Sequence, residues 1–416
     1  MKGTILIGQS GGPTAVINAS LAGVVQAARG AGFGSPGREI LGMRFAIEGF
    51  LEERILDLGT LSHQELERLK HTPGSALGSC RYKLQDDDLP RIHRLLEKYN
   101  VRYLFYIGGN DTMDTIHRIS GYCSDQGYEL RGVGIPKTVD NDLYATDHTP
   151  GYPSAARYVA QSVAQAGRLA RDMQRVDRFL VHQTIGRDAG WLAAAAALAR
   201  TRPEDAPHLI YVPEMPIDRD TVLSDVQRTI DAYGWASIVI GEGTTWTDGT
   251  PVSAAATTDR FNNVEFGAMG GSSAALNLHR LIHRETGYRG EFQIPESMPM
   301  SASDRRGPND MQEAYACGVE ALHRALRDEG GVMITIERQG EADDPDGANR
   351  SEYAVSYGTA PLQDVAVRAR PMPPHMLQPG FVTESFIDYL RPLVGELETF
   401  LDLSDRELSA HGYHET

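Results

Sequence analysis

Asp140 and Asp142 stand two positions apart in Gly134-Ile135-Pro136-Lys137-Thr138-Val139-Asp140-Asn141-Asp142, beside a cation and a hydroxyl. Carboxylates so placed can divide their labour, one taking a proton from a hydroxyl and one holding a metal or its water. Taken singly, the segment also fits a solvated loop. Two glycine clusters carry complementary chemistry. Gly8-Gln9-Ser10-Gly11-Gly12-Pro13-Thr14 joins a β-like run to a helical pattern, where unshielded N–H groups can approach a phosphate. Its spacing is neither GxxxxGKS nor GxGxxG, and a tight turn without a ligand stays open. Tyr106-Ile107-Gly108-Gly109-Asn110-Asp111-Thr112 repeats the pattern and adds a carboxylate at the turn.

Turns of this kind need a strand ahead and a helix behind. Residues 4–7 read as a strand before a helix over about 15–29, and 103–107 as a strand before a helix from about 112. Further strand-like runs cover 179–181, 209–212, 237–240 and 332–336, with helical stretches between most of them. Strand and helix in alternation predict an α/β protein, with a mostly parallel sheet covered on both faces. Ligands of such sheets bind at the carboxyl ends of the strands. Residues 337–351 are polar and acidic and carry Pro345, Gly340 and Gly347, the pattern of a solvated loop.

Composition narrows the classes. A chain of 416 residues allows two or three compact units, and 41% hydrophobic with 23% charged residues is too apolar for disorder. Forty Lys and Arg against 56 Asp and Glu give a net charge of −16, which argues against a nucleic-acid partner. Cys80, Cys123 and Cys317 lack zinc spacing and suggest a reducing cytoplasm. The longest apolar run, 191–199, is far short of the roughly 20 residues of a membrane helix. His279 and His283 lie four apart on a helical pattern, but HRLIH lacks the glutamate of HExxH, so a polar face is the simpler assignment. Residues 267–273 form another glycine-rich stretch, assigned to packing.

GQSGGPTAVIN, GSALGSCRYK, YIGGNDTMDT, GIPKTVDNDL, TDHTPGY, VHQTIGRDAGWLAAA and IVIGEG occur in the order and spacing of the phosphofructokinases, a resemblance that covers about residues 4–320. It implies two doubly wound, Rossmann-like subdomains with the active site in the cleft between them. Residues 1–147, completed by about 299–345, would form the donor half. Residues 148–298, completed by about 346–416, would form the acceptor half. The resemblance lays Asp140 on the family's catalytic base and Thr138 beside it. Arg81 and Arg187 fall on arginines near the transferring phosphoryl group, and Glu242 on an acceptor contact. It further implies magnesium and a homodimer or homotetramer, with Arg178 reaching a neighbour's site.

Donor choice follows from size and charge. In ATP-using members the positions of Asp111 and Lys137 are glycines, which leave room for the nucleotide. A carboxylate there obstructs the nucleotide, whereas a lysine offers a point charge to a shorter donor. The chain therefore resembles the pyrophosphate-dependent branch, with Gly11, Gly12, Arg81, Asp111 and Lys137 expected at pyrophosphate. The alternative is that Lys137 pairs with Asp111 and ATP still binds. Asn110 replaces an aspartate that the family associates with magnesium, so Asn110, Asp111 and Asp142 are the expected metal side chains.

The acceptor side departs further. Glu291, Ser297 and Pro299-Met300 align with the family's arginine, His or Tyr, and Gln-Arg, which bind the phosphate of fructose 6-phosphate. Without those cations a phosphate would be costly to desolvate, so the expected acceptor is a polyol, cyclitol, sugar or nucleoside without a phosphate. Thr138, Asp140, Arg178, Ile185, Gly186 and Arg187 are its expected contacts, with Glu242, Met298 and Arg305. Two alternatives remain. Arg305 and Arg306 would replace the missing cations in an ordinary pyrophosphate-dependent 6-phosphofructokinase, or the chain would be a catalytically silent homologue.

Overall fold

The computed structural model describes residues 2–253, 273–339 and 353–403, and the backbone of 257–258 and 264–265. In chain order the strands are β1 (Thr4–Gln9), β2 (Ile40–Met43), β3 (Ile55–Asp57), β4 (Val101–Gly108), β5 (Arg131–Pro136), β6 (Phe179–Thr184), β7 (Leu209–Tyr211) and β8 (Ala236–Gly241). They continue with β9 (Thr257–Thr258), β10 (Val264–Glu265), β11 (Gly290–Gln293), β12 (Val332–Arg338), β13 (Val355–Pro361), β14 (Leu377–Gln378) and β15 (Phe381–Val382).

β1 is buried at every position, as a strand must be when helices cover both faces of its sheet. It lies within a seven-stranded sheet of order β13-β12-β5-β4-β1-β2-β3. The five inner strands run parallel, and β3 and β13 close the edges antiparallel. Side chains alternate between two cores: Ile5, Ile7 and Phe105 join one, Leu6, Leu104 and Tyr106 the other. A second, four-stranded sheet of order β11-β6-β8-β7 is wholly parallel. Phe179 and Val181 bury on one of its faces, and Ile210, Val212 and Val239 on the other. The two doubly wound sheets are the expected α/β architecture.

The expected strands all form, most of them a residue or two longer at one or both ends. The helix expected from about 112 begins at Asn110, directly after the glycine pair. One boundary differs. β13 and the helix Leu362–Val367 pack with the first sheet, so residues expected to complete the acceptor half stay with the donor half past 345. The antiparallel pairing of β12 with β13 is the cause, because a direct return keeps the chain at the same sheet edge. Later segments then join the second half: Met372, the short β14–β15 hairpin with Val382, and the helix Glu384–Val394, which buries Phe386, Tyr389 and Leu390 against Tyr152 and Trp191. Residues 340–351 of the expected loop and 267–272 of the third glycine stretch lie outside the described residues.

A buried carboxylate ties the halves together. Asp310, at the start of the helix Asp310–Leu326, accepts hydrogen bonds from the Gly151 N–H (2.8 Å) and the Ser154 N–H (3.1 Å), and from the Ser154 hydroxyl. These donors open the helix Tyr152–Asp172, whose first N–H groups have no partner within the helix. Asp310→Ala should therefore cost about 2–4 kcal/mol, since it orphans buried donors. Denaturant unfolding of the two proteins checks this, and a change below about 1 kcal/mol would refute the bridge.

Candidate active site

The carboxyl ends of β1, β4, β5, β6 and β8 feed the turns that line one cleft of about 450 Å³. On the donor wall the chain leaves β1 through Gly11 at φ 75°, a conformation that a side chain would disfavour. Ser79 donates its hydroxyl to the Gly11 carbonyl at 2.6 Å. Gln9 and Asn18 hold the facing loop: Gln9 accepts the Leu77 N–H at 3.0 Å, and Asn18 donates to the Thr72 and Gly74 carbonyls at 2.8 and 2.7 Å. That loop carries Arg81 to the cleft. In the sequence Gln9 and Asn18 read as ordinary polar residues near a glycine turn.

Lys137 is the cation between the turns. It is buried, and its ammonium donates to the Gly12 carbonyl at 2.6 Å rather than to the Asp111 carboxylate. Burial brings its pKa down to about 8, with Asp140 and Asp142 opposing the fall. It thus stays largely charged at neutral pH.

The acids owe their aim to the residue between them. Asn141 is buried at φ 56°, a left-handed conformation that asparagine tolerates better than most residues. Its side chain faces inward, accepting the Thr149 N–H at 3.1 Å and donating to the Tyr389 hydroxyl at 2.9 Å. Asp140 and Asp142 on either side line the cleft. The Thr138 hydroxyl accepts the Asp140 N–H at 3.1 Å, and the Thr149 hydroxyl donates to the Thr138 carbonyl at 2.8 Å. Burial, reinforced by Glu242, lifts Asp140 to about 6, and burial with Asp140 as neighbour lifts Asp142 to about 7.

On the opposite wall, Ile185, Gly186 and Arg187 follow β6, and Glu242 follows β8. Glu242 accepts the Gly186 N–H at 3.1 Å, yet burial still raises it to about 7. Glu296, Ser297 and Met300 complete the wall. The Met300 methyl presses on the donor turn, where a Cβ on Gly12 would lie 2.4 Å from it.

Other expected acceptor residues lie elsewhere. Arg178 precedes β6, at the end of the strand away from the cleft, with its guanidinium 5.4 Å from the Tyr288 ring centre. Met298 is 58% exposed and does not line the cleft. Arg305 donates to the Ser162 hydroxyl at 2.9 Å, and Arg306 to the Ala15 and His71 carbonyls at 3.2 and 2.7 Å. Both arginines are thereby held outside the cleft, because nearer oxygens satisfy their donors. His279 and His283 pair with the separate carbonyls of Gly290 and Tyr288.

Among the described residues, no three His, Cys, Asp or Glu side chains converge as a metal cage. Oxygen donors for magnesium are nonetheless present. Asn110 lines the cleft with Asp111 and Asp142, and its side-chain oxygen is buried without a hydrogen-bond partner. Such a set suits a hard cation that keeps other oxygen ligands.

Backbone turns that suit an anion on one wall face paired carboxylates across the cleft, an arrangement that suits phosphoryl transfer. A model of the phosphofructokinase family matches residues 4–298. Pyrophosphate–fructose 6-phosphate 1-phosphotransferase of Xanthomonas campestris is 37% identical over 402 residues, 94% of this chain and 92% of the relative. Sulfofructose kinase of Alkalicoccus urumqiensis is 32% identical, over 87% of this chain and 88% of that one. The crystal structure of a pyrophosphate-dependent phosphofructokinase from Marinobacter aquaeolei superposes with a TM-score of 0.82 at 31% identity, covering 96% of this chain and 94% of that one. The chain belongs to the phosphofructokinase family, on its pyrophosphate-dependent branch. Among the described residues, no helix is long and apolar enough to cross a membrane.

The orphaned oxygen of Asn110 gives a direct test of the metal. Asn110→Asp adds a charge at that oxygen and should lower the magnesium concentration for half-saturation, in the presence of pyrophosphate, by about threefold or more. Calorimetric titration measures it, and an unchanged midpoint would separate Asn110 from the metal.

Proposed function

We propose that this chain transfers a phosphoryl group from pyrophosphate to a hydroxyl of a small carbohydrate-like molecule without a phosphate of its own: a polyol, cyclitol, sugar or nucleoside. The observation that carries the acceptor reading is a wall on which Arg187 is joined by Glu242, Glu296, Ser297 and Met300. A phosphate desolvated there would meet repulsion, and a neutral polyol would find hydrogen-bond acceptors.

The roles in this reading are these. Gly11, Gly12, Asp111 and Lys137 hold pyrophosphate, and Lys137 supplies the point charge that a short donor needs. Asp140 takes the hydroxyl proton, with Thr138 beside it. Arg81 and Arg187 offset the charge on the passing phosphoryl group. Magnesium, held by pyrophosphate together with Asn110, Asp111 or Asp142, supplies further charge neutralisation. Arg178, turned from the cleft of its own chain, serves a neighbouring copy in a homodimer or homotetramer.

Asp140→Asn removes the base and should cut turnover about 10²–10⁴-fold while leaving pyrophosphate binding nearly intact. In the unmodified protein kcat/KM should climb between about pH 6 and 7 as the Asp140–Asp142 pair ionises. It should fall above about pH 8, where Lys137 loses its proton. Retention of more than about a tenth of the rate in Asp140→Asn would reassign the base.

A second reading is fructose 6-phosphate itself, favoured by the name and 37% identity of the Xanthomonas campestris relative. Acceptors incubated with magnesium and either pyrophosphate or ATP decide between the two. An unphosphorylated acceptor should exceed fructose 6-phosphate by about a hundredfold in kcat/KM, equivalent to about 2.7 kcal/mol. Pyrophosphate should support turnover and ATP should not. Fast turnover of fructose 6-phosphate that collapses in Arg305→Ala or Arg306→Ala would overturn the acceptor assignment.

A further inference from the structure

The C-terminal helix Glu384–Val394 reaches the acid-bearing loop through one hydroxyl. Tyr389 is buried, with its ring 5.4 Å from Trp191 and 6.2 Å from Phe386 between centres. Its oxygen accepts the Asn141 amide at 2.9 Å and donates its own proton to the Asp147 carbonyl, also at 2.9 Å. One hydroxyl therefore spans the turn that follows Asp140. The Arg370 N–H donates to the Asp142 carbonyl at 2.7 Å, and the Arg370 carbonyl accepts the Trp191 indole N–H at 3.1 Å. The loop thus rests on segments more than two hundred residues later in the chain.

Asn141 is the sensitive member of this arrangement. It occupies the left-handed region, and two bonds hold its side chain inward. If it turned, the residues on either side would turn with it, since successive side chains in so short a segment share the backbone rotation. We infer that Tyr389 is a positioning residue for phosphoryl transfer: its hydroxyl holds Asn141 inward and so keeps the carboxylates of Asp140 and Asp142 aimed into the cleft. The effect on rate rests on Asp140 being the base, whereas the effect on the loop does not.

Tyr389→Phe keeps the ring packing and deletes only the hydroxyl, leaving the Asn141 amide and the Asp147 carbonyl buried without that partner. The reporter is the Thr149 amide, whose N–H bonds the Asn141 oxygen and not the Tyr389 hydroxyl. Its hydrogen exchange should quicken by about tenfold or more, the scale of one lost hydrogen bond. With fructose and fructose 6-phosphate as acceptor probes and magnesium pyrophosphate as donor, kcat should fall by about tenfold or more, while the pyrophosphate KM stays within about threefold. A loss of stability alone would not separate kcat from KM in this way.

A folded Tyr389→Phe whose Thr149 amide exchanges at the unmodified rate, or whose kcat stays within about twofold, overturns the inference. If Tyr389→Phe does not fold, Asn141→Ala removes the other end of the same bond, and a folded Asn141→Ala with kcat within about twofold overturns it equally. Should Asp140→Asn prove active, the base assignment fails, and faster Thr149 exchange in Tyr389→Phe still supports the latch.

Discussion

The inward turn of Asn141 is the constraint on which the site depends. In a segment as short as Thr138–Asp142, a carboxylate at each flank can reach the cleft only if the residue between them points away. Asparagine suits that place because it tolerates a positive φ and brings both a donor and an acceptor to a buried position. The Thr149 amide and the Tyr389 hydroxyl satisfy one of each. A hydrophobic residue there would lose both bonds, and a bulky one would resist the backbone conformation.

Behind this turn lies a charged network that keeps the loop rigid. His148 is buried, and its ring nitrogens meet Asp147 at 2.8 Å and Glu313 at 2.7 Å. Burial pulls its pKa down, but the two carboxylates outweigh that and hold it at about 9, so the ring carries its charge at neutral pH. Arg338 adds a contact to Asp147 at 3.1 Å, and the Tyr353 hydroxyl donates to Glu313 at 2.7 Å. Groups from four separate stretches of chain converge there, and removing any one would leave a buried charge short of a partner. The helix carrying Glu313 also carries Asp310, so it braces the loop and the second half at once.

In the cleft the balance of charge runs against ionisation. Asp140, Asp142 and Glu242 share one polar space, and burial raises all three above ordinary carboxylates. Lys137 and Arg187 oppose that rise at Asp140. A cationic ligand complex or a polyhydroxyl would relieve this crowding, and a second anion on the acceptor wall would add to it. The same bookkeeping explains why a lysine can remain buried at the donor turn: the acids that it faces hold its proton.

Much of this was legible from residues close together in sequence. The glycine turns after β1 and β4 and the Lys137–Asp142 segment declare themselves because strand, turn and helix start are local events, and short β-like runs such as 4–7 mark strands of a sheet covered on both faces. Family likeness rested on those same short motifs. Tyr389 behind Asn141, Met300 against Gly12, Arg305 and Arg306 spent on other oxygens, and β13 staying with the first sheet were decided by tertiary structure alone. Each is a choice of partner made across many tens to hundreds of residues, set by which surfaces pack together, and short-range residue pattern carries no record of that choice.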